Sequence, residues 1–273
     1  MKENDIKRAV RGRYGDIAVR AGSCCGAAEG TDGVPQGTAA EALGYTPDQL
    51  SSVPEGAELG LGCGNPLALA ALRGGETVLD LGCGAGFDCF LAAARVGDNG
   101  RVIGVDMTPE MLDRARDNAR RGGYGNVEFR LGEIENLPVA DASIDLLISN
   151  CVINLSVDKS RVFREAFRAL KPGGRLAISD IVLLGELPVE LRASVSAYTG
   201  CVAGALPRVE YLELIRKAGF SDVNVERETP FDAEALPAQP NRSQPSATPT
   251  PAGGAPAGGP LITSISVSAL KPV

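Results

Sequence analysis

From Glu76 onward, apolar runs of strand length alternate with amphipathic stretches of helical period, and this alternation constrains the fold more than any other feature. The runs cover residues 77–81, 102–105, 127–131, 144–148 and 176–181, and the helical stretches cover 87–96, 109–121 and 159–170. Strands buried on both faces read as near-continuous apolar runs, and parallel neighbours need helical crossovers. The pattern therefore specifies a parallel α/β sheet covered on both sides by helices. Two further helical segments, 188–198 and 208–218, precede two alternating strand patterns at 222–229 and 262–270. Between those strands, residues 237–260 are dominated by Pro, Gly, Ala, Ser and Thr. Such a composition buries too little apolar surface to offset its ordering entropy, so a disordered insertion is expected there.

Ahead of Glu76 the pattern is looser. Residues 3–20 read as a helix, and a Gly/Ala-rich loop carrying Cys24 and Cys25 follows. Short helices are expected near 47–52 and 66–72, each opened by a proline that suits a first helical turn. The expected organisation is an N-terminal helical and loop cap, residues 1–75, carrying Cys24, Cys25 and Cys63, on a main domain of residues 76–273. A chain of 273 residues, 44% hydrophobic, has enough material for one large core with such an appendage.

Composition also removes several function classes. A net charge of −7 leaves no basic footprint for a nucleic-acid partner. Charged residues or glycine-rich turns interrupt every apolar run short of a membrane span, and the N-terminus is charged from its second residue. A cytoplasmic protein without a membrane partner or secretory signal is expected. Seven cysteines, an odd number, then read as free or functional thiols rather than a disulfide framework. With no histidine in the chain, Ser-His-Asp and Cys-His catalysis and imidazole metal sites are excluded.

The first strand ends in Asp80-Leu81-Gly82-Cys83-Gly84-Ala85-Gly86 and runs directly into a helix. A dinucleotide fingerprint would place its third glycine at position 87, where Phe87 stands. The spacing D-x-G-x-G-x-G instead resembles the first motif of class I S-adenosylmethionine-dependent methyltransferases. The second strand ends in Asp106, placed to accept hydrogen bonds from both ribose hydroxyls, with Met107 beside it to pack on adenine. After the third strand, Glu133 is placed to accept from the adenine amino group and Ile134 to cover the ring. Lys171-Pro172-Gly173-Gly174 resembles the turn before the fifth strand in this superfamily. The resemblance implies a doubly wound, mostly parallel, Rossmann-like sheet of seven strands ending in an antiparallel hairpin. It implies a donor site built from Asp80, Gly82, Gly84, Gly86, Asp106, Met107, Glu133, Ile134 and Asn150.

The ordinary reading of a cysteine, a small buried apolar residue, applies to Cys83 inside the glycine turn and to Cys89 on the first crossover helix. Cys63, Cys151 and Cys201 stand in different contexts: Leu61-Gly62-Cys63-Gly64-Asn65-Pro66, Ser149-Asn150-Cys151-Val152-Ile153-Asn154-Leu155 and Gly200-Cys201-Val202-Ala203-Gly204-Ala205. These segments closely resemble the three arsenic-binding cysteine segments of the arsenite methyltransferases, and the likeness runs from about Tyr14 to Phe231. The family's further N-terminal cysteine is matched by Cys24 or by Cys25. Against many members the proline- and glycine-rich insertion is a departure, and the C-terminal extension is expected to be missing.

That resemblance implies methyl transfer from S-adenosylmethionine to trivalent arsenic held by Cys63, Cys151 and Cys201, a route of arsenic detoxification. Cys24 and Cys25 would be accessory thiols, and a reductant of thioredoxin or glutathione type would be the partner. The chemistry needs no histidine, because arsenic bound by thiolates keeps a lone pair and carries no proton to remove. The alternative on the same fold is a methyltransferase of an organic small molecule with its cysteines in the core. A zinc-binding or sensor protein would bring C-x-x-C pairs, which the chain does not contain, and a nicotinamide dehydrogenase fails on Phe87 and the absent histidine.

Overall fold

The structure is a computed structural model that describes residues 3–20, 40–187, 189–192, 194–230 and 262–273. Seven strands form one sheet in the order β3-β2-β1-β4-β5-β7-β6. They are β1 (Thr77–Leu81), β2 (Arg101–Asp106), β3 (Val127–Leu131), β4 (Ile144–Asn150), β5 (Leu170–Leu183), β6 (Ser221–Pro230) and β7 (Ile262–Leu270). β1 to β5 pair in parallel, and β7 inserts antiparallel between β5 and β6. This is the doubly wound, mostly parallel sheet with a terminal antiparallel hairpin that the sequence specifies. The strand order reverses between β1 and β4, which leaves a crevice at their carboxyl ends, where open α/β sheets bind ligands.

The crossover helices cover the sheet as their periodicity requires. On one face, α3 (Phe87–Val96) and α4 (Pro109–Gly122) bury Phe90 and Leu112 against Val78, Val102 and Ile148. On the other, α5 (Lys159–Ala169) and α8 (Arg208–Lys217) bury Phe163, Tyr211 and Ile215 against Leu147, Ile178 and Val267. α1 (Glu3–Arg20) packs against α4 and against α7 (Val195–Thr199), beside the crevice. α2 (Pro47–Ser52) is opened by a capping box in which the Thr46 hydroxyl accepts from Gln49 N and the Gln49 side chain accepts from Thr46 N.

Two expectations are corrected. The segment near 66–72 makes only one 3₁₀ turn, Pro66–Ala68, because Ala71 takes a positive φ of 40° that no right-handed helix continues through. The described residues of the 188–198 segment form two short helices, α6 (Val189–Arg192) and α7; Ser194 is extended and caps the second by accepting from Ala197 N. Lys171–Gly174 falls within the bounds of the fourteen-residue β5 but bulges from the ladder as the expected turn: pairing with β4 passes from Ile144–Leu170 to Leu146–Arg175, Gly173 has φ 74°, and Gly173 N donates to Lys271 O and Lys271 N to Gly174 O. The 237–260 insertion and the Cys24–Cys25 loop lie outside the described residues.

Candidate active site

The glycine turn after β1 wraps around a carboxylate. Asp106, at the end of β2, accepts from Gly84 N at 3.0 Å and from Thr108 N at 2.8 Å. Burial pushes its carboxyl above the ordinary range, and these backbone donors pull it back. Gly84 has φ +51°, and a Cβ there would meet only the Met111 sulfur at 4.0 Å, so the backbone faces open cleft. Around that opening stand Asp80, Asp88, Asp106 and Glu135 among the apolar side chains of Met107 and Ile134. An acidic cleft with apolar walls suits a cation attached to a flat heterocycle.

The segment after β3 is arranged differently from expectation. Glu133 is paired with Lys7 at 2.8 Å and Arg11 at 3.2 Å on α1, and it is not among the residues lining the cleft. The acid that does line it is Glu135, whose carboxylate accepts from the Ser156 hydroxyl at 2.6 Å. Gly86 begins α3 at φ 95° behind the turn, against Phe90, while Gly82, Asp80 and Asn150 line the cleft.

A buried hydrogen-bond network joins this cleft to the first cysteine loop. The Tyr45 hydroxyl donates to Asp88 at 2.7 Å, and the Asn150 amide donates to Asp88 at 3.2 Å. The same Asn150 amide reaches Gly64 O at 2.9 Å, and its carbonyl accepts from Cys63 N at 3.1 Å. Burial raises the Asp88 carboxyl to about 6, and raises that of Asp80 well above its usual range, with the Asp88 charge adding to the second shift. Cys89, fully buried, donates to Asp80 at 3.2 Å. Cys83 is buried too but lines the cleft, so it is not purely a core residue.

Cys63, Cys151 and Cys201 converge beside the cleft, at the carboxyl ends of β4 and β5. Among the described residues five non-glycines have positive φ, and two of them are Cys151 at 57° and Cys201 at 66°. Backbone held in this region concentrates at functional sites. The Cys201 thiol donates to Cys151 O at 2.9 Å, and the Cys63 thiol lies 3.6 Å from Ser179 O. The loop carrying Cys201 needs Gly204, since a Cβ there would lie 2.1 Å from Asn154 O. All three cysteines are buried and free, and Cys151 lines the cleft itself. The neighbouring thiols of Cys201 and Cys63, then burial, push the Cys151 pKa well up; burial does the same for Cys63. Both thiols are therefore protonated at neutral pH and must lose protons to bind a thiophilic ligand.

Several residues absent from the sequence expectations stand here. Asp180, on β5, has a carboxylate oxygen within 4.8 Å of both the Cys63 and Cys151 sulfurs. Burial raises it to about 7, opposed by hydrogen bonds from Ile181 N and Tyr211. Tyr14 of α1 and Tyr45 line the cleft, and Lys159 is buried with its ammonium donating to Ser156 O at 2.9 Å. A charged residue in the middle of an apolar strand was the one signal available for Asp180.

Comparison with known proteins matches residues 72–223 to a methyltransferase domain family model. Arsenite methyltransferase from Halobacterium salinarum is 50% identical over 229 residues, 81% of this chain and 59% of that protein. The enzyme of the same name from Aquipseudomonas alcaligenes is 46% identical over 190 residues, 67% of this chain and 54% of that protein. The chain thus spans between half and two thirds of the length of these two relatives. A solved structure of an arsenic(III) S-adenosylmethionine methyltransferase, CrArsM from Chlamydomonas reinhardtii, is 35% identical with a TM-score of 0.60, covering 88% of this chain and 75% of that one. Among the described residues no helix is long and apolar enough to cross a membrane. By these matches the chain belongs to the methyltransferase-domain family, and within it to the arsenite methyltransferases.

Proposed function

We propose that this chain transfers a methyl group from S-adenosylmethionine to trivalent arsenic held by Cys63, Cys151 and Cys201. The observation that carries this reading is the meeting of three buried, free thiols at the sheet edge beside the acidic cleft, two of them on left-handed backbone. The donor, when bound, supplies a sulfonium methyl, a carbon electrophile. In this reading the Asp106 carboxylate takes the ribose hydroxyls, Met107 and Ile134 cover adenine, and Asp80 and Asp88 meet the positive end; that all five line the cleft supports it. Gly84 lets the backbone approach, and the acidic lining favours a cation over a neutral analogue.

Arsenite has three hydroxyls. Each exchange forms one As–S bond, breaks one As–O bond and moves the thiol proton onto the departing hydroxyl as water. The bound arsenic then presents its lone pair to the methyl carbon, so positioning supplies most of the catalysis. Transfer raises arsenic formally to the pentavalent state, and two thiols return it to the trivalent state by forming a disulfide. Those electrons come from an external thiol system, or from the protein's own cysteines, which that system then reduces. Cys24 or Cys25 serves as the accessory thiol in this reading, and residues 1–75 form a cap over a donor-binding domain of residues 76–273. Free buried thiols support a cytoplasmic setting. X-ray absorption at the arsenic edge tests the ligand set: three sulfurs in the arsenite complex are expected, and a mixed oxygen shell would refute it.

A further inference from the structure

Asp180 is the part of the thiol cluster that the arsenic chemistry leaves unused. Its carboxylate oxygen and the sulfurs of Cys63 and Cys151 all lie within 4.8 Å of one another, and all three residues are buried. The donors come from three separate places: the loop before β1, the residue after β4, and the carboxyl-terminal part of β5. Trivalent arsenic bonds to soft sulfur, and a hard carboxylate adds little to it. A set of two thiolates and one carboxylate is, by contrast, an ordinary donor set for a d¹⁰ divalent cation.

We infer that Cys63, Cys151 and Asp180 form a binding site for a thiophilic divalent cation of the zinc class, with the neighbouring Cys201 thiol or a water as fourth ligand. The site stands on the cluster's geometry and needs no arsenic to exist. Tetrahedral zinc bonds of about 2.3 Å to sulfur and about 2.1 Å to oxygen place donors roughly 3.4–3.8 Å apart. The observed separations close to that spacing with side-chain adjustments of about an ångström or less.

The surroundings fit the role. The Asp180 carboxylate is oriented by Asn154 at 2.9 Å, Ile181 N at 2.9 Å and the Tyr211 hydroxyl at 3.0 Å, as carboxylates that bind metals usually are. Entry is open because Cys151 lines the cleft. Binding balances simply: the cation displaces one proton from each thiol, and one from Asp180 where that is protonated. A consequence, which rests on the proposed arsenic activity, is that zinc-class cations compete with arsenite for Cys63 and Cys151.

The test uses the full chain, reduced and freed of metal, titrated with cadmium alone while thiolate-to-cadmium absorbance and bound metal are read. One cadmium per chain is expected at this cluster. Asp180→Asn should weaken it at least tenfold, a larger factor than it costs arsenite binding measured separately on the same folded variant. Cys63→Ser should weaken cadmium further, and the Cys24→Ser/Cys25→Ser double variant should leave it unchanged. Unchanged cadmium affinity in a folded Asp180→Asn, or in Cys63→Ser should the first variant fail to fold, overturns the inference. So does loss of cadmium in the Cys24/Cys25 variant. Failure of arsenite methylation alone leaves cadmium binding intact and refutes only the arsenic reading.

Discussion

Asn150→Ala should release the loop that carries Cys63. The Asn150 side chain makes two hydrogen bonds to that loop, accepting from Cys63 N at 3.1 Å and donating to Gly64 O at 2.9 Å. It makes two more to the donor cleft, at Asp88 and Tyr45. A buried hydrogen bond contributes about 1 kcal/mol net, so losing the loop's pair makes its local opening easier by about 2 kcal/mol. Since 1.4 kcal/mol is a tenfold change in an equilibrium, the open population should rise roughly thirtyfold. A thiol that reacts only when its loop opens reports that population directly. Iodoacetamide labelling of Cys63, followed by mass spectrometry, should therefore accelerate by about the same factor. Cys89, fully buried on α3, is the internal control and should barely change. A Cys63 rate that rises less than about threefold would refute the anchoring role. Parallel acceleration at Cys89 would mean that the whole fold, and not the loop, had loosened.

Asp106→Asn should weaken S-adenosylhomocysteine binding by about tenfold or more in calorimetry, because hydrogen bonds to a charged group contribute about 1.5–3 kcal/mol; unchanged affinity in the folded variant would place the ribose elsewhere. Cys63→Ser should lose most activity on arsenite, which exchanges three hydroxyls, yet keep much of it on monomethylarsenite, which exchanges two; equal losses in parallel assays would sink the three-then-two ligand count. Asp88, raised from 3.8 to about 6, holds its proton more tightly in the folded state. Its contribution to stability is therefore present at low pH and is lost as pH rises from about 4 to about 6. Asp88→Asn should remove that part of the slope in urea midpoints measured against pH, and an identical profile in both proteins would contradict the shift.

The regular elements were written locally in the chain. β1, β3, β7 and α3 run over the residues that periodicity assigns, because the apolar spacing and the flanking glycines and prolines belong to the same short segments. The 188–198 segment was not legible in this way, since Ser194 stands extended inside it and caps a second helix. At the site, sequence types chose the right region and missed side-chain direction. Glu133 and Glu135 stand two residues apart, and which of them faces the cleft is decided by Lys7 and Arg11, more than a hundred residues away. The cysteine segments could be named by their resemblance to a family, yet their meeting with Asp180 and Tyr14 depends on β5 and α1 arriving from distant parts of the chain. The network through Asn150 and Tyr45 was invisible for the same reason: five side-chain and backbone groups from four segments satisfy one another, and no one segment carries the pattern.

The central claim is that thiolate-held arsenic is the methyl acceptor. Its most direct test supplies methyl-labelled S-adenosylmethionine, arsenite and a thiol reductant to the wild-type chain and to Cys151→Ser, with the arsenic products separated and counted. The wild type should produce labelled methylarsenicals. Cys151→Ser should produce almost none while retaining its affinity for S-adenosylhomocysteine, because a hydroxyl is a poor, hard ligand for arsenic. Label appearing on arsenic at an undiminished rate in Cys151→Ser, or on no arsenical in the wild type, would contradict the account.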